Sequence, residues 1–259
     1  MTRAADGSAG DHDYGRTGAV YPTYRQPDPR IAAAVHAALD GARTVLNVGA
    51  GAGSYEPTDR EVTPVEPSAA MRAHRPPHLA PAVDAVADDL PFEDHAFDAA
   101  MGTFTVHQWP DLAAGLREVR RVTRGPVVLL TCDPAALADW WLARYSPEVI
   151  ATEARRYPAM HELTRLLGGG ERVTVDVVPI PLDCTDGFND AYYGRPERLL
   201  DPGARQANSA WGFVAPAAVE RFERHLRGDL ESGAWDARFG HLRTQPRFDG
   251  ALRLVVGRP

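Results

Sequence analysis

The chain has 259 residues, 44% of them apolar, and a formal net charge of −7. That length fits one domain with an elaborate insert or a small cap, and the apolar share is enough for a full core. The acidic balance argues against nucleic acid as a partner, because phosphate binding relies on clustered Arg and Lys, so a small molecule is expected. No apolar run is longer than a strand, which leaves no transmembrane span, and the N-terminus lacks the apolar stretch of a secretory signal. A cytoplasmic location follows as the expectation, with Cys132 and Cys184 read as buried thiols rather than a disulfide.

Residues 1–13 have no periodicity and read as a disordered leader, followed by an N-terminal lid and helix over 14–43. Asp28-Pro29, then Ile31, Val35 and Leu39 at helical spacing, then Gly41, predict a capped helix. Strands are predicted at 44–49, 62–66, 82–86, 97–102 and 126–131, with helices at 68–74 and 111–122. Such alternation predicts an α/β fold with a parallel sheet covered on both faces. Helices are predicted at 135–145 and 147–167, a sixth strand at 173–180 and a last strand at 251–256. The chain reads as a single domain with a core over 44–183, an insert over 184–248 and the last strand within 249–259. The insert is too long for a plain connection and carries a predicted helix from Pro216 to about Leu230 with Val219, Phe222 and Leu226 on one face. It reads as a cap over the site, with packing against the sheet edge as the alternative.

Thr44 to Val48 followed by Gly49, Gly51 and Gly53 reads as a buried strand running into a loop that a ligand can approach closely. Glu66 closes the next apolar run, where a carboxylate accepts hydrogen bonds from a ribose diol. The glycine spacing fits the dinucleotide fingerprint poorly. All 28 basic residues are arginine, so a lysine-dependent phosphate loop and Schiff-base chemistry are both excluded. No His, Cys and Asp set has metal-ligand spacing, and no metal is expected.

The glycine loop, then Val65-Glu66-Pro67-Ser68-Ala69-Ala70-Met71, then Asp88-Asp89-Leu90-Pro91-Phe92, then Phe97-Asp98, resemble the class I S-adenosylmethionine-dependent methyltransferases. The likeness is to the small-molecule group that includes the ubiquinone and menaquinone biosynthesis methyltransferases, and it spans roughly residues 44–131. It implies a Rossmann-like, seven-stranded, mostly parallel sheet with the last strand antiparallel and a helical cap. S-adenosylmethionine is the implied cofactor, held by Asn47, Gly49, Ala50, Gly51, Glu66, Pro67, Met71, Ala87, Asp88, Asp89, Gly102 and Thr103. Two departures stand out: Asn47 replaces the usual acid, and Pro57 cuts the first helix to about a turn. The resemblance also places Tyr14 near the methyl group and Arg25 near the methionine carboxylate, to which a guanidinium is suited. His107, after the fourth strand, is the candidate proton acceptor, with loop packing as its alternative role. The aromatics Trp140, Trp141, Tyr145, Tyr192, Tyr193, Trp211 and Phe213 read either as walls of an acceptor pocket or as the core of the insert. The function implied is methyl transfer to an oxygen, nitrogen or carbon of a small molecule. The alternatives are a non-catalytic S-adenosylmethionine-binding protein and, more weakly, an NAD-dependent oxidoreductase.

Overall fold

The computed structural model describes residues 21–259; the predicted leader and Tyr14 lie outside the described residues. The strands in chain order are β1 (Thr44–Val48), β2 (Glu61–Val65), β3 (Ala99–Thr103), β4 (Val127–Cys132), β5 (Val173–Val177), β6 (Ile180–Pro181), β7 (Arg247–Phe248) and β8 (Leu252–Gly257). The helices are α1 (Tyr21–Tyr24), α2 (Pro29–Ala38), α3 (Ala69–Ala73), α4 (Leu112–Val122), α5 (Leu142–Tyr145), α6 (Pro147–Arg156), α7 (Met160–Leu166), α8 (Pro202–Gln206), α9 (Pro216–Ser232) and α10 (Ala234–Phe239). Helix α2 begins where its cap puts it. The Asp28 carboxylate accepts the Arg30 N–H at 2.9 Å, and Pro29 occupies the first turn, where a missing N–H is harmless.

The main sheet has six strands in the order β2-β1-β3-β4-β8-β5. Its first four run parallel, and β8 inserts antiparallel between β4 and β5. Because side chains alternate along a strand, each strand feeds two cores. Val45, Met101, Val128, Leu130 and Leu254 join one core with Ile31 and Val35 of α2 and with Phe222, Leu226 and Trp235 of the insert. Leu46, Val48, Ala100, Leu129 and Val255 join the other with Leu116 and Val119 of α4 and Leu163 of α7. The insert therefore packs on the α2 side of the sheet. Its base is tied by the antiparallel pair of β6 and β7, in which Ile180 faces Phe248.

Several expected elements differ, each for a local reason. The strand predicted at 82–86 contributes only an isolated bridge of Val83 with Val65, so the sheet has six strands and not seven. Pro76, Pro77 and Pro81 precede it, and the Ala85 N–H turns back to the Val83 carbonyl at 3.1 Å. The helix predicted over 147–167 is two helices, because Pro158 supplies no N–H and holds Tyr157 in extended backbone. The strand predicted over 173–180 ends at Val177, and Ile180 and Pro181 pair elsewhere. Only Leu142–Tyr145 of the helix predicted over 135–145 is α-helical. No helix follows the glycine loop; the chain turns from Gly51 to Tyr55 instead. Among the described residues, no helix is long and apolar enough to cross a membrane.

Candidate active site

At the carboxyl end of the parallel strands lies a cleft of about 790 Å³, the open solvent at its mouth included. The walls are the glycine loop (Gly49, Ala50, Gly51), the end of β2 with Glu66 and Pro67, Met71 of α3, Val86 and Ala87, and the segment Thr103–Thr105 with Gln108 and Trp109. Gly49 has φ +71°, and a side chain there would meet Thr105 Oγ1 at 1.8 Å, so the site requires glycine at this position. Thr105 Oγ1 in turn accepts the Trp109 indole N–H at 3.1 Å. The Glu66 carboxylate is buried and shapes the loop as well as facing the cavity. Its two oxygens accept the Gly51 and Ser68 backbone N–H groups, each at 2.8 Å.

Beneath this loop lies a buried polar group that sequence reasoning missed. Asn47 Nδ2 donates to Glu56 Oε1 at 2.9 Å, and Arg75 grips the same carboxylate from Nη1 and Nη2 at 3.0 and 2.9 Å. Asn47 lacks the charge of the usual acid, and Glu56 supplies one beside it. The amide is thereby oriented with Oδ1 buried and, among the described residues, without a partner. Asp88 Oδ1 is likewise buried without a partner among them. Two such acceptors beside the cleft fit a ligand that brings N–H donors. The chemistry of the walls, with a carboxylate for a diol, glycines for close approach and apolar Val86, Ala87 and Met71 for a flat ring, fits S-adenosylmethionine.

A second cavity, about 570 Å³ with the open solvent at its mouth included, adjoins the first, and Phe104 belongs to both walls. Phe104 has φ +51°, unusual for a bulky residue, and its N–H donates to the Leu130 carbonyl at 2.8 Å. The Arg25 guanidinium lies 4.9 Å from its ring centroid, and the Phe188 ring lies 5.3 Å away. The rest of this cavity is polar. His107, Cys132, Glu153, Tyr157, Asn189 and Asp190 line it, together with Gln206, Asn208 and Ser209 of the insert. The Tyr157 ring stands 4.4 Å from the His107 ring, where the break at Pro158 leaves it. Burial pushes the Cys132 thiol well above its ordinary range, a direction that the Asp190 and Glu153 carboxylates reinforce.

Of the predicted cofactor residues, the structure brings Gly49, Ala50, Gly51, Glu66, Pro67, Met71, Ala87 and Thr103 to one cavity wall. Asn47, Asp88 and Gly102 adjoin it without lining it, and Asp89 is exposed. Arg25 lies on the second cavity, where Asp186 holds its guanidinium and accepts Tyr55 Oη–H at 2.8 Å. His107 also lines the second cavity. The aromatics weighed as pocket walls do not line either cavity: Trp141 and Tyr193 are fully buried core, and Phe213 is exposed. The aromatic walls come instead from Phe104, Tyr157 and Phe188. Both cysteines are free and buried. Among the described residues, no group of three or more His, Cys, Asp or Glu could hold a metal ion.

A parallel sheet with one late antiparallel strand, a glycine loop closing β1 and a carboxylate closing β2 define the class I methyltransferase fold. Known proteins bear this out. The methyltransferase domain family matches residues 46–130. The uncharacterized protein YafE of Escherichia coli K12 is 32% identical over 121 residues, 44% of this chain and 57% of that protein, so the match spans little more than half of its length. A crystal structure from Anabaena variabilis ATCC 29413, described as a candidate methyltransferase from an antibiotic biosynthesis pathway, is 27% identical with a TM-score of 0.84, covering 90% of this chain and 98% of that one. The plantazolicin methyltransferase BpumL, solved with S-adenosylhomocysteine, shares the fold at 10% identity and a TM-score of 0.53, covering 96% of this chain and 91% of its own. Residues 46–130 thus carry a methyltransferase domain, and the fold around them is that of the class I S-adenosylmethionine-dependent methyltransferases.

Proposed function

We propose that the protein transfers the methyl group of S-adenosylmethionine to a small organic molecule held in the second cavity, in the biosynthesis of a specialised or quinone-like compound. The observation that carries this reading is the common wall: Phe104 lines the cofactor cavity and the polar cavity beside it. When bound, S-adenosylmethionine supplies a methyl group on a sulfonium, a good leaving group.

The chain's own residues then hold the two reactants apart from water and in register. Glu66 receives the ribose diol, Asp88 Oδ1 the adenine amino group, and Asn47 Oδ1 with the loop at Gly49–Gly51 the methionine end. Arg25 steadies Phe104 between the cavities, and the insert closes the acceptor side through Phe188 and Asn208. The description of the Anabaena protein supports a biosynthetic role.

Titration calorimetry tests the cofactor half: S-adenosylhomocysteine should bind and NAD should not. Glu66→Ala should cost about 1–3 kcal/mol of that affinity, since it leaves polar groups buried and unpaired. Tight NAD binding with no response to S-adenosylhomocysteine would refute the reading.

A further inference from the structure

The second cavity has a charge pattern that a neutral acceptor leaves unanswered. Glu153 of α6 and Asp190 of the insert both line it. The hydrogen bond that reaches Glu153 among the described residues comes from Asn189 Nδ2, at 2.9 Å to Oε1. Asn189 is itself fixed, because its Oδ1 accepts the Trp211 indole N–H at 3.0 Å. Asp190 Oδ2 accepts the Ala251 N–H at 2.9 Å, a bond from a neutral donor. Among the described residues of the wall the permanent cation is Arg25, which pairs with Asp186 outside it. Two carboxylates thus share one cavity with the rings of Phe104, Tyr157 and Phe188, which is a setting for a cation.

We propose, building on the methyl-transfer reading, that the acceptor is a small primary or secondary amine that enters the second cavity as its ammonium ion, and that Glu153 takes its proton. The ammonium N–H bond breaks and its hydrogen passes to the Glu153 carboxylate, which leaves the nitrogen with a lone pair. That pair forms the bond to the methyl carbon as the carbon–sulfur bond breaks. The electrons of the broken bond stay on sulfur, giving the neutral thioether S-adenosylhomocysteine and an N-methylated ammonium. The proton on Glu153 then leaves to water.

The environment suits the carboxylate to this task. Burial, and after it the Asp190 charge, push Glu153 up to about 7, against the Asn189 bond and the charges of Arg156 and Arg25. Burial likewise pushes Asp190 up to about 6. A carboxylate titrating near neutrality is matched to proton transfer at physiological pH. His107, the candidate proton acceptor in the sequence, packs against Tyr157 and walls the cavity; among the described residues Tyr157 and Cys132 also line it, and the Arg253 charge opposes the rise at Asp190.

The test uses the full chain loaded with S-adenosylhomocysteine, whose binding is measured first; its failure would strike the methyltransferase reading and not this one. Benzylamine, phenethylamine and n-hexylamine are then titrated beside benzyl alcohol, 2-phenylethanol and n-hexanol. Each amine should bind the loaded protein more tightly than its alcohol by about tenfold or more, the scale of one charge-assisted hydrogen bond. In Glu153→Gln that preference should collapse while S-adenosylhomocysteine affinity and the melting temperature hold. The preference should also weaken as pH falls from about 8 to about 5, as Glu153 and Asp190 protonate. Alcohols that bind as well as the amines, amines that do not bind the loaded protein, or an amine preference untouched in Glu153→Gln would each overturn the proposal.

Discussion

Gly49 shows how narrowly a single residue constrains the cofactor site. A methyl group there must displace Thr105 Oγ1 from 1.8 Å, and Thr105 cannot retreat without releasing the Trp109 indole, which lines the same cavity. The backbone at φ +71° adds the cost of a left-handed residue, about 1–2 kcal/mol. Gly49→Ala should therefore lower S-adenosylhomocysteine affinity by about tenfold or more, whereas Gly41→Ala, whose new methyl meets nothing within 4 Å, should leave it unchanged. Equal affinity in the two variants would show that the loop relaxes around the clash. Gly49 and Glu66 were legible in the sequence because each stands at the end of its own apolar run. Glu56, Arg75, Glu153 and Asp190 were not, because each acquires its meaning from a neighbour that only the fold supplies. Asn47 read as a lost charge for the same reason: the carboxylate that answers it comes from the far side of the glycine loop.

At the scale of elements, local chemistry was readable wherever it was decisive. The Asp28-Pro29 start of α2, the Pro216 start of α9 and the alternation from β1 to β4 stand as the sequence reads them. Segments with weaker signals yielded to prolines: Pro158 splits a helix, and the run before Val83 leaves a strand too short to ladder. Asp28 does more than cap its helix. It is fully buried, and its carboxylate accepts bonds from the Arg30 N–H, the Arg30 guanidinium and the Thr185 N–H, which ties α2 to the start of the insert. Burial alone would raise its pKa, but the Arg30 and Thr185 bonds outweigh that and bring it down to about 2. A carboxylate depressed in the folded state adds stability above its unfolded value, and that stability is lost as pH falls through the folded one. Asp28→Asn should thus cost about 1–3 kcal/mol near neutral pH, discounted because Arg30 is half exposed. The gap between the two proteins should narrow as pH falls from about 4 to about 2. Chemical denaturation across that range measures it, and a gap that stays constant would mean that the charge plays no part.

Among the described residues, the insert and the sheet share one core. One continuous core joins Ile31 and Val35 of α2, Val128 and Leu130 of β4, and Phe188, Tyr193, Phe222 and Trp235 of the insert. The insert also reaches across the sheet's front edge: Tyr24 Oη–H donates to Asp201 at 2.8 Å, and Arg25 pairs with Asp186. Apart from the exposed Phe213, the aromatics that could have been pocket walls or core are core because this joint interior needs them. Trp141 shows it, with its indole N–H on the Tyr193 carbonyl at 2.8 Å and its ring edge-on to Trp235. A core shared this way gives the insert no independent stability, so thermal unfolding should be one cooperative transition. Tryptophan emission, dominated by Trp140, Trp141, Trp211 and Trp235 on the insert side, should then lose its native signal at the temperature at which far-ultraviolet circular dichroism loses the helices and strands. S-adenosylhomocysteine at about a hundred times its dissociation constant adds about 2.7 kcal/mol, and both signals should rise together by several degrees. Emission that melts first, and fails to move when the ligand is added, would show that the insert unfolds on its own and that the shared core does not couple it to the cofactor site.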